Sequence, residues 1–261
     1  MTHAAASPPL PPTGLVATET ADGVATVRFG HPKGNSLPGA ILRELATQVR
    51  RAGEDPSARV IVLRSEGQGP FCAGASFDEL VAIDGPARGR EFFSGFAGVI
   101  LAMIRAPKFV VARVHGKTTG GGVGLVAASD YAIATTGAAC KLSELAVGIG
   151  PFVVGPVIEK RIGAAAFGQM AVDADWRDAQ WAHARGLYAR LVDGIAELDG
   201  TLEAFARRLA GFNPEAMAEI KRITWQGTED WDGLLAERAE ISGRLVLSEF
   251  TRSAIATFKQ G

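Results

Sequence analysis

The run Gly120-Gly121-Gly122, reached through His115-Gly116-Lys117-Thr118-Thr119, constrains this chain more than any other feature. Glycine loses more conformational freedom on folding than any other residue, so such a run is retained where the backbone must turn sharply or approach something closely. It lies between the β-branched stretch Phe109–Val114 and the small apolar stretch Gly122–Ala128, which reads as a strand-to-helix turn. A second turn of this kind, Pro70-Phe71-Cys72-Ala73-Gly74-Ala75-Ser76-Phe77-Asp78-Glu79-Leu80, follows the strand-like Arg59–Arg64. Where a helix starts, its first amides lack partners and its dipole favours negative charge. Two such turns facing one another form an oxyanion hole from backbone amides alone. Either one by itself is equally a plain tight turn or a phosphate cradle; the pair is far more specific. Neither GxxxxGK[ST] nor GxGxxG with a cofactor-binding acid fits, because Lys117 precedes the Gly120–Gly124 run.

The surrounding pattern is α/β. Val24–Phe29 alternates, and Asp22-Gly23 before it predicts a hairpin with Leu15–Thr20. Leu37–Ala52 carries a helical stripe at Leu37, Ile41, Leu42, Leu45 and Val49. A further helix is expected over Phe92–Arg105, ended by Ala106-Pro107, and a further strand over Tyr131–Thr135. From about Leu202 only helices are expected: Leu202–Ala210, Pro214–Trp225, Trp231–Leu247 and Ser253–Lys259. Their apolar residues need a surface, and a neighbouring subunit is one candidate. Residues 1–14, rich in Ala and Pro, read as a floppy tail.

The chain has 261 residues with 47% hydrophobic, 27 basic and 28 acidic residues, and a formal net charge of -1. With no block of like charge, composition gives no support to a nucleic-acid surface. Two cysteines, Cys72 and Cys140, fit a reducing compartment, and no apolar run is long enough for a membrane span. A cytoplasmic protein without membrane attachment is expected. Neither HExxH nor CxxC occurs, so no metal site is expected.

Several segments resemble the crotonase (enoyl-CoA hydratase/isomerase) superfamily in order and spacing. His31-Pro32-Lys33-Gly34-Asn35-Ser36-Leu37 is similar to that family's "RP…NAL" segment, and Phe71–Ala75 resembles its FxAGAD element. His115-Gly116 through Gly122 resembles NGxxxGGG, Asp130–Ala134 resembles CDxxIA, and Lys141–Pro151 resembles FxxPExxLGxxP. The resemblance covers about residues 24–165 and weakens beyond. It implies a spiral of repeated β-β-α units over 15–200 and a helical oligomerisation region over 201–261. A homotrimer or dimer of trimers follows from it. So does an acyl-CoA thioester substrate, with coenzyme A part of the substrate and no separate cofactor. By the same resemblance, the amides of Ala75 and Gly121 bind the thioester oxygen. Lys33, Gly34, Ser36, Ala73, Gly74, Ser76, Phe77, Gly120, Gly124 and Phe152 are the implied substrate-contacting positions.

Family hydratases usually carry two glutamates over the double bond. Here the first position is Gly124 and the second is Glu144, so half of that pair is missing. Apolar neighbours around Glu144 are expected to raise its pKa, which suits one group that both takes and gives a proton. The continuation Phe152-Val153-Val154-Gly155-Pro156 replaces a Gly-rich turn and resembles a branch that includes methylglutaconyl-CoA-type hydratases. The expected activity is hydration of a 2-enoyl-CoA. Double-bond isomerisation, thioester hydrolysis or decarboxylation, and a catalytically inactive CoA-binding or structural role are the alternatives. The other titratable residues read as structural: His115 as a satisfied backbone-capping histidine, Asp78 and Glu79 as serving the dipole of their own helix, and Cys72 as inert. Trp176, Trp181, Trp225 and Trp231 read as core or interface.

Overall fold

Asp22 and Gly23 are both left-handed, at φ 50° and 77°, the geometry that closes a two-residue hairpin. They join β1 (Leu15–Ala21) to antiparallel β2 (Val24–Gly30). The computed structural model describes residues 10–258, so most of the expected tail and Lys259 lie outside the described residues. After the hairpin come α1 (Gly39–Glu54), β3 (Val60–Ser65), α2 (Phe77–Ala82), α3 (Pro86–Arg105) and β4 (Val110–Val114). The chain continues through β5 (Thr118–Thr119), α4 (Gly121–Ala128), β6 (Tyr131–Thr135) and β7 (Cys140–Lys141). A 3₁₀ turn at Leu145–Val147 precedes α5 (Gly155–Ile162), α6 (Ala164–Asp173), α7 (Ala179–Ala184) and β8 (Arg190–Val192). Last come α8 (Gly194–Ala210), α9 (Pro214–Thr224), α10 (Trp231–Leu245) and α11 (Glu249–Phe258).

The main sheet runs β1-β2-β3-β4-β6-β8, parallel except for the β1 edge. Both of its faces are covered, which is why β3 opens on the apolar run Val60–Leu63 and β4 is apolar except for Arg113. Val27, Ile61, Leu63 and Ala112 face the core shared with α1 and α3, whereas Val60, Val62, Val111 and Ile133 face Leu198, Leu202 and Ala206 of α8. A second, minor layer lies where each turn of the spiral leaves the main sheet. Leu37 bridges Ala75, Cys72 bridges Thr118, and β5 pairs with β7. This is the spiral of β-β-α units that the sequence implied, and the layer that holds both glycine-bearing turns.

Three expectations are revised. The helix expected from Phe92 starts at Pro86, where the missing N–H costs nothing in a first turn. The helical run expected from Leu202 starts at Gly194, and α8 spans the 200/201 boundary. Its apolar face packs on the chain's own sheet, and Asp199 accepts hydrogen bonds from the buried Arg113 of β4. Likewise α10 crosses α3 at two glycines: a Cβ on Gly89 would lie 2.6 Å from the Gly243 carbonyl oxygen. The chain itself therefore covers most of the apolar surface of its C-terminal helices. Phe212, Ile220 and Ile223 remain exposed.

Candidate functional site

Each glycine-bearing turn is pinned by the minor layer. On the first, Gly74 is left-handed at φ 87°, its carbonyl accepts from Leu37 N at 2.8 Å, and Ser76 N donates to Leu37 O at 3.3 Å. On the second, Thr119 N donates to Cys72 O and Gly120 N to Lys141 O, both at 2.8 Å. The turns touch, since a Cβ on Gly74 would lie 3.0 Å from Thr119 O and 3.8 Å from Gly121 N. A Cβ on Gly121 would enter the Phe96 ring, so only glycine fits beneath α3 there. Among the described residues neither Ala75 N nor Gly121 N donates a hydrogen bond to any acceptor. Ala75 N and Gly121 N are thus among the donors that the paired turns leave free.

Glu144 stands over the second turn, ahead of the 3₁₀ turn Leu145–Val147. A Cβ on Gly120 would come within 2.9 Å of Glu144 Oε1, so the carboxylate rests on glycine backbone. Oε2 is shut off from solvent and has no hydrogen-bond partner among the described residues. Burial pushes the pKa up to about 7, outweighing the opposing pull of the backbone N–H groups of Glu144 and Ser143, since a carboxylate taken out of water resists ionisation. Behind it α11 packs on the same turn, where Phe250 and Thr251 meet left-handed Gly148.

These groups line one cavity, whose empty space including the open solvent at its mouth is about 560 Å³. The rest of its wall is mainly apolar: Phe77, Phe93, Phe96, Ile149 and Phe152 carry most of it. Of the residues expected at the site, Ala73, Gly74, Ala75, Phe77, Gly120, Gly121, Glu144 and Phe152 line it together. The others lie nearby or beneath. Exposed Lys33 pairs with Asp78, and Gly34 accepts from Ala73 N at 3.0 Å through its carbonyl. Ser36 Oγ lies 2.9 Å from His31 Nδ1, while Ser76 caps α2 by accepting from Glu79 N. Gly124 does not reach the cavity: it is buried in α4, where a Cβ would stand 2.6 Å from Val154 Cγ1.

Sequence reasoning missed Val147, Ile149 and Ser242 in the wall. Val147 and Ile149 lie within the recognised segment and could have been suggested by their closeness to Glu144. Nothing in the sequence around Ser242 marks it. Two structural readings are refined. His115 is buried and its ring nitrogens make no well-formed hydrogen bond among the described residues, though the Gly69 backbone acts on the ring and favours its charged form. Burial first, then Arg113 and Arg64, lowers its pKa to about 4. The Glu79 carboxylate accepts from Gly39 N at 2.6 Å and so serves the start of α1. Cys72 is buried, with its thiol pushed up to about 12 by burial, as an inert residue requires. Trp225 and Trp231 are core residues, whereas Trp176 is largely exposed. No cluster of metal-ligating side chains occurs among the described residues, and no helix of theirs is long and apolar enough to cross a membrane.

Comparison with known proteins agrees with this arrangement. The family described as "Enoyl-CoA hydratase/isomerase" matches residues 19–246. A (7aS)-7a-methyl-1,5-dioxo-2,3,5,6,7,7a-hexahydro-1H-indene-carboxyl-CoA hydrolase of Rhodococcus jostii is 36% identical over 132 residues, 51% of each chain. The mitochondrial methylglutaconyl-CoA hydratase of Rattus norvegicus is 31% identical over 77% of this chain and 63% of its own. The matches thus span about half to under two thirds of these two relatives. Among solved structures, an enoyl-CoA hydratase of Mycobacterium smegmatis superposes with a TM-score of 0.77 at 28% identity, covering 94% of this chain and 96% of that one. Fold, paired glycine turns and sequence relatives together show that the chain belongs to the enoyl-CoA hydratase/isomerase family, the crotonases, and is an enoyl-CoA hydratase-like enzyme.

Proposed function

We propose that the protein adds water to a 2-enoyl-CoA thioester to give a 3-hydroxyacyl-CoA, using one carboxylate. The observation that carries this reading is Glu144: an oxygen that is buried and unpartnered, in the same cavity as two amides without acceptors. With the thioester oxygen between Ala75 N and Gly121 N, ionised Glu144 takes a proton from water as the water oxygen bonds to C3. The π electrons move toward the thioester, and the negative charge falls on the oxygen facing the two amides. Glu144 then returns its proton to C2, so the elements of water are added and the carboxylate is restored. A pKa near 7 suits both halves of this cycle. Amides that need no reorganisation are worth a few kcal/mol each to such an oxyanion.

Val154 stands where a second carboxylate would have to fit, and this supports a second reading, double-bond isomerisation, because moving one proton between C2 and C4 needs a single carboxylate. Crotonyl-CoA and a 3-enoyl-CoA separate the two. Loss of the conjugated thioester absorbance from the first marks a hydratase, and its gain from the second marks an isomerase. For either reaction, Glu144→Gln should lower the rate by about 10²–10⁴-fold with little change in ester binding. A near-native rate in that variant would remove Glu144 from the mechanism.

The CoA portion is assigned to the neighbourhood of Lys33, Gly34, Ser36 and Ser76, on the rim side of the Ala73–Phe77 turn. The helices that follow α8 are assigned to assembly as a homotrimer or dimer of trimers. The exposed apolar side chains of Phe212, Ile220 and Ile223 support that assembly. Arg252, exposed on α11, is assigned to a neighbouring subunit's CoA phosphate; Lys259, the other candidate, lies outside the described residues.

A further inference from the structure

Besides Ser143, which precedes Glu144 in the chain, the cavity wall holds one polar side chain that the reaction does not use. Ser242, on α10, is 1% exposed and lines the same cavity as Glu144 and the two amides. Its hydroxyl is not among the shut-off polar atoms, so it is what the residue shows to the cavity. Buried helical serines commonly satisfy themselves by donating to the carbonyl four residues back. Ser242 does not: among the described residues no hydrogen bond reaches its hydroxyl, whereas Ser129 of α4 donates to Leu125 O at 3.0 Å. The cavity that Ser242 lines is mainly apolar, with Phe93 of α3 and Phe152 in its wall.

The approach of α10 to α3 gives this hydroxyl its position. Gly243, the next residue, packs backbone to backbone on Gly89, where any Cβ would collide. Further along α3, Phe96 covers Gly121. The two contacts are seven residues apart, about two turns or ~10 Å along the helix axis. Ser242 therefore faces the end of an acyl group held by its thioester oxygen at Gly121, not the reacting carbons.

An all-hydrocarbon acyl group reaching that end would bury the hydroxyl without a partner, a loss that a hydrogen-bonding group at the same point avoids. We infer that Ser242 is a specificity residue, and that the acyl group this enzyme takes carries a carbonyl or hydroxyl oxygen remote from the thioester. This rests on the acyl-CoA reading given above.

Binding of saturated esters, which cannot be hydrated, tests the inference apart from turnover. Octanoyl-CoA, 7-oxo-octanoyl-CoA and 7-hydroxyoctanoyl-CoA place a methylene, a carbonyl or a hydroxyl near the required distance. By isothermal titration the full-length protein should bind at least one oxygenated ester about tenfold more tightly than octanoyl-CoA. Ser242→Ala should bring that ratio close to one, and Ser242→Thr, which keeps a hydroxyl, should preserve most of it. Equal affinities in the unmodified protein, or a ratio untouched by Ser242→Ala, overturn the inference and leave the acyl-CoA reading standing. If none of the three esters binds, both fall.

Discussion

Val154 Cγ1 stands 2.6 Å from the point where a side chain on Gly124 would begin. The absence of a first glutamate and the apolar continuation after Pro151 are therefore one feature: a valine from the second segment fills the space that the first leaves open. Gly124→Glu alone should clash, costing about 1–3 kcal/mol of stability and displacing Val154 toward the acyl cavity. Adding Val154→Gly should recover much of that loss. A single variant that melts with the unmodified protein would show that the space is not filled as described.

Among the described residues the amide of Ala75 donates no hydrogen bond, so it can be deleted without breaking one of theirs. Ala75→Pro removes that N–H and should lower kcat by about 10²–10³-fold. Circular dichroism checks that the variant is folded. Gly121→Pro is the weaker test, because any Cβ there also meets Phe96. Ala75→Ser keeps the donor and should be mild.

Two buried groups oppose one another in acid. Glu144 titrates at about 7 in the folded chain against a usual 4.5, so the native state takes up its proton first and gains stability as pH falls from 7 to 4.5. His115 titrates at about 4 against a usual 6.5. Here the unfolded state is protonated first, and stability is lost as pH falls from 6.5 to 4. Glu144→Gln should therefore raise Tm at pH 8 relative to the unmodified protein, and more there than at pH 5. His115→Asn should relieve acid destabilisation. Each effect is on the order of 1–3 kcal/mol. Melting curves across this range check both signs.

For assembly, Ile220 and Ile223 of α9 are 56% and 59% exposed. Light scattering should find a trimer or hexamer at micromolar concentration, and Ile220→Asp with Ile223→Asp should shift it toward the monomer. A monomeric unmodified protein would end the trimer assignment.

Elements with a local signature were readable from the chain. The Asp22-Gly23 turn, the stripe Ile41, Leu42, Leu45, Val49, and the doubly buried β3 and β4 each declare themselves within a few residues. The pairing of the two glycine turns was readable as well, because both carry the same strand-to-helix pattern. What escaped depended on long-range contact. Whether α8 packs on its own sheet or on a neighbour is decided by Arg113 meeting Asp199 and by Val60, Val62, Val111 and Ile133. Gly124 looked like an open position because the residue filling it, Val154, lies 30 positions later. His115 ends a strand and so looked satisfied, whereas the packed structure buries its ring without a well-formed hydrogen bond among the described residues.

The Gly89–Gly243 crossing, two backbones in direct contact, sets how closely α10 with its Ser242 approaches α3, far from Glu144 along the chain. Part of the reach is thus encoded away from the segment that holds Glu144, although Ile149 and Phe152 of that segment share the wall. Substitutions on the inner face of α10 can retune which acyl groups are admitted while the proton-handling segment stays untouched. A lineage with this layout can change diet without relearning its chemistry.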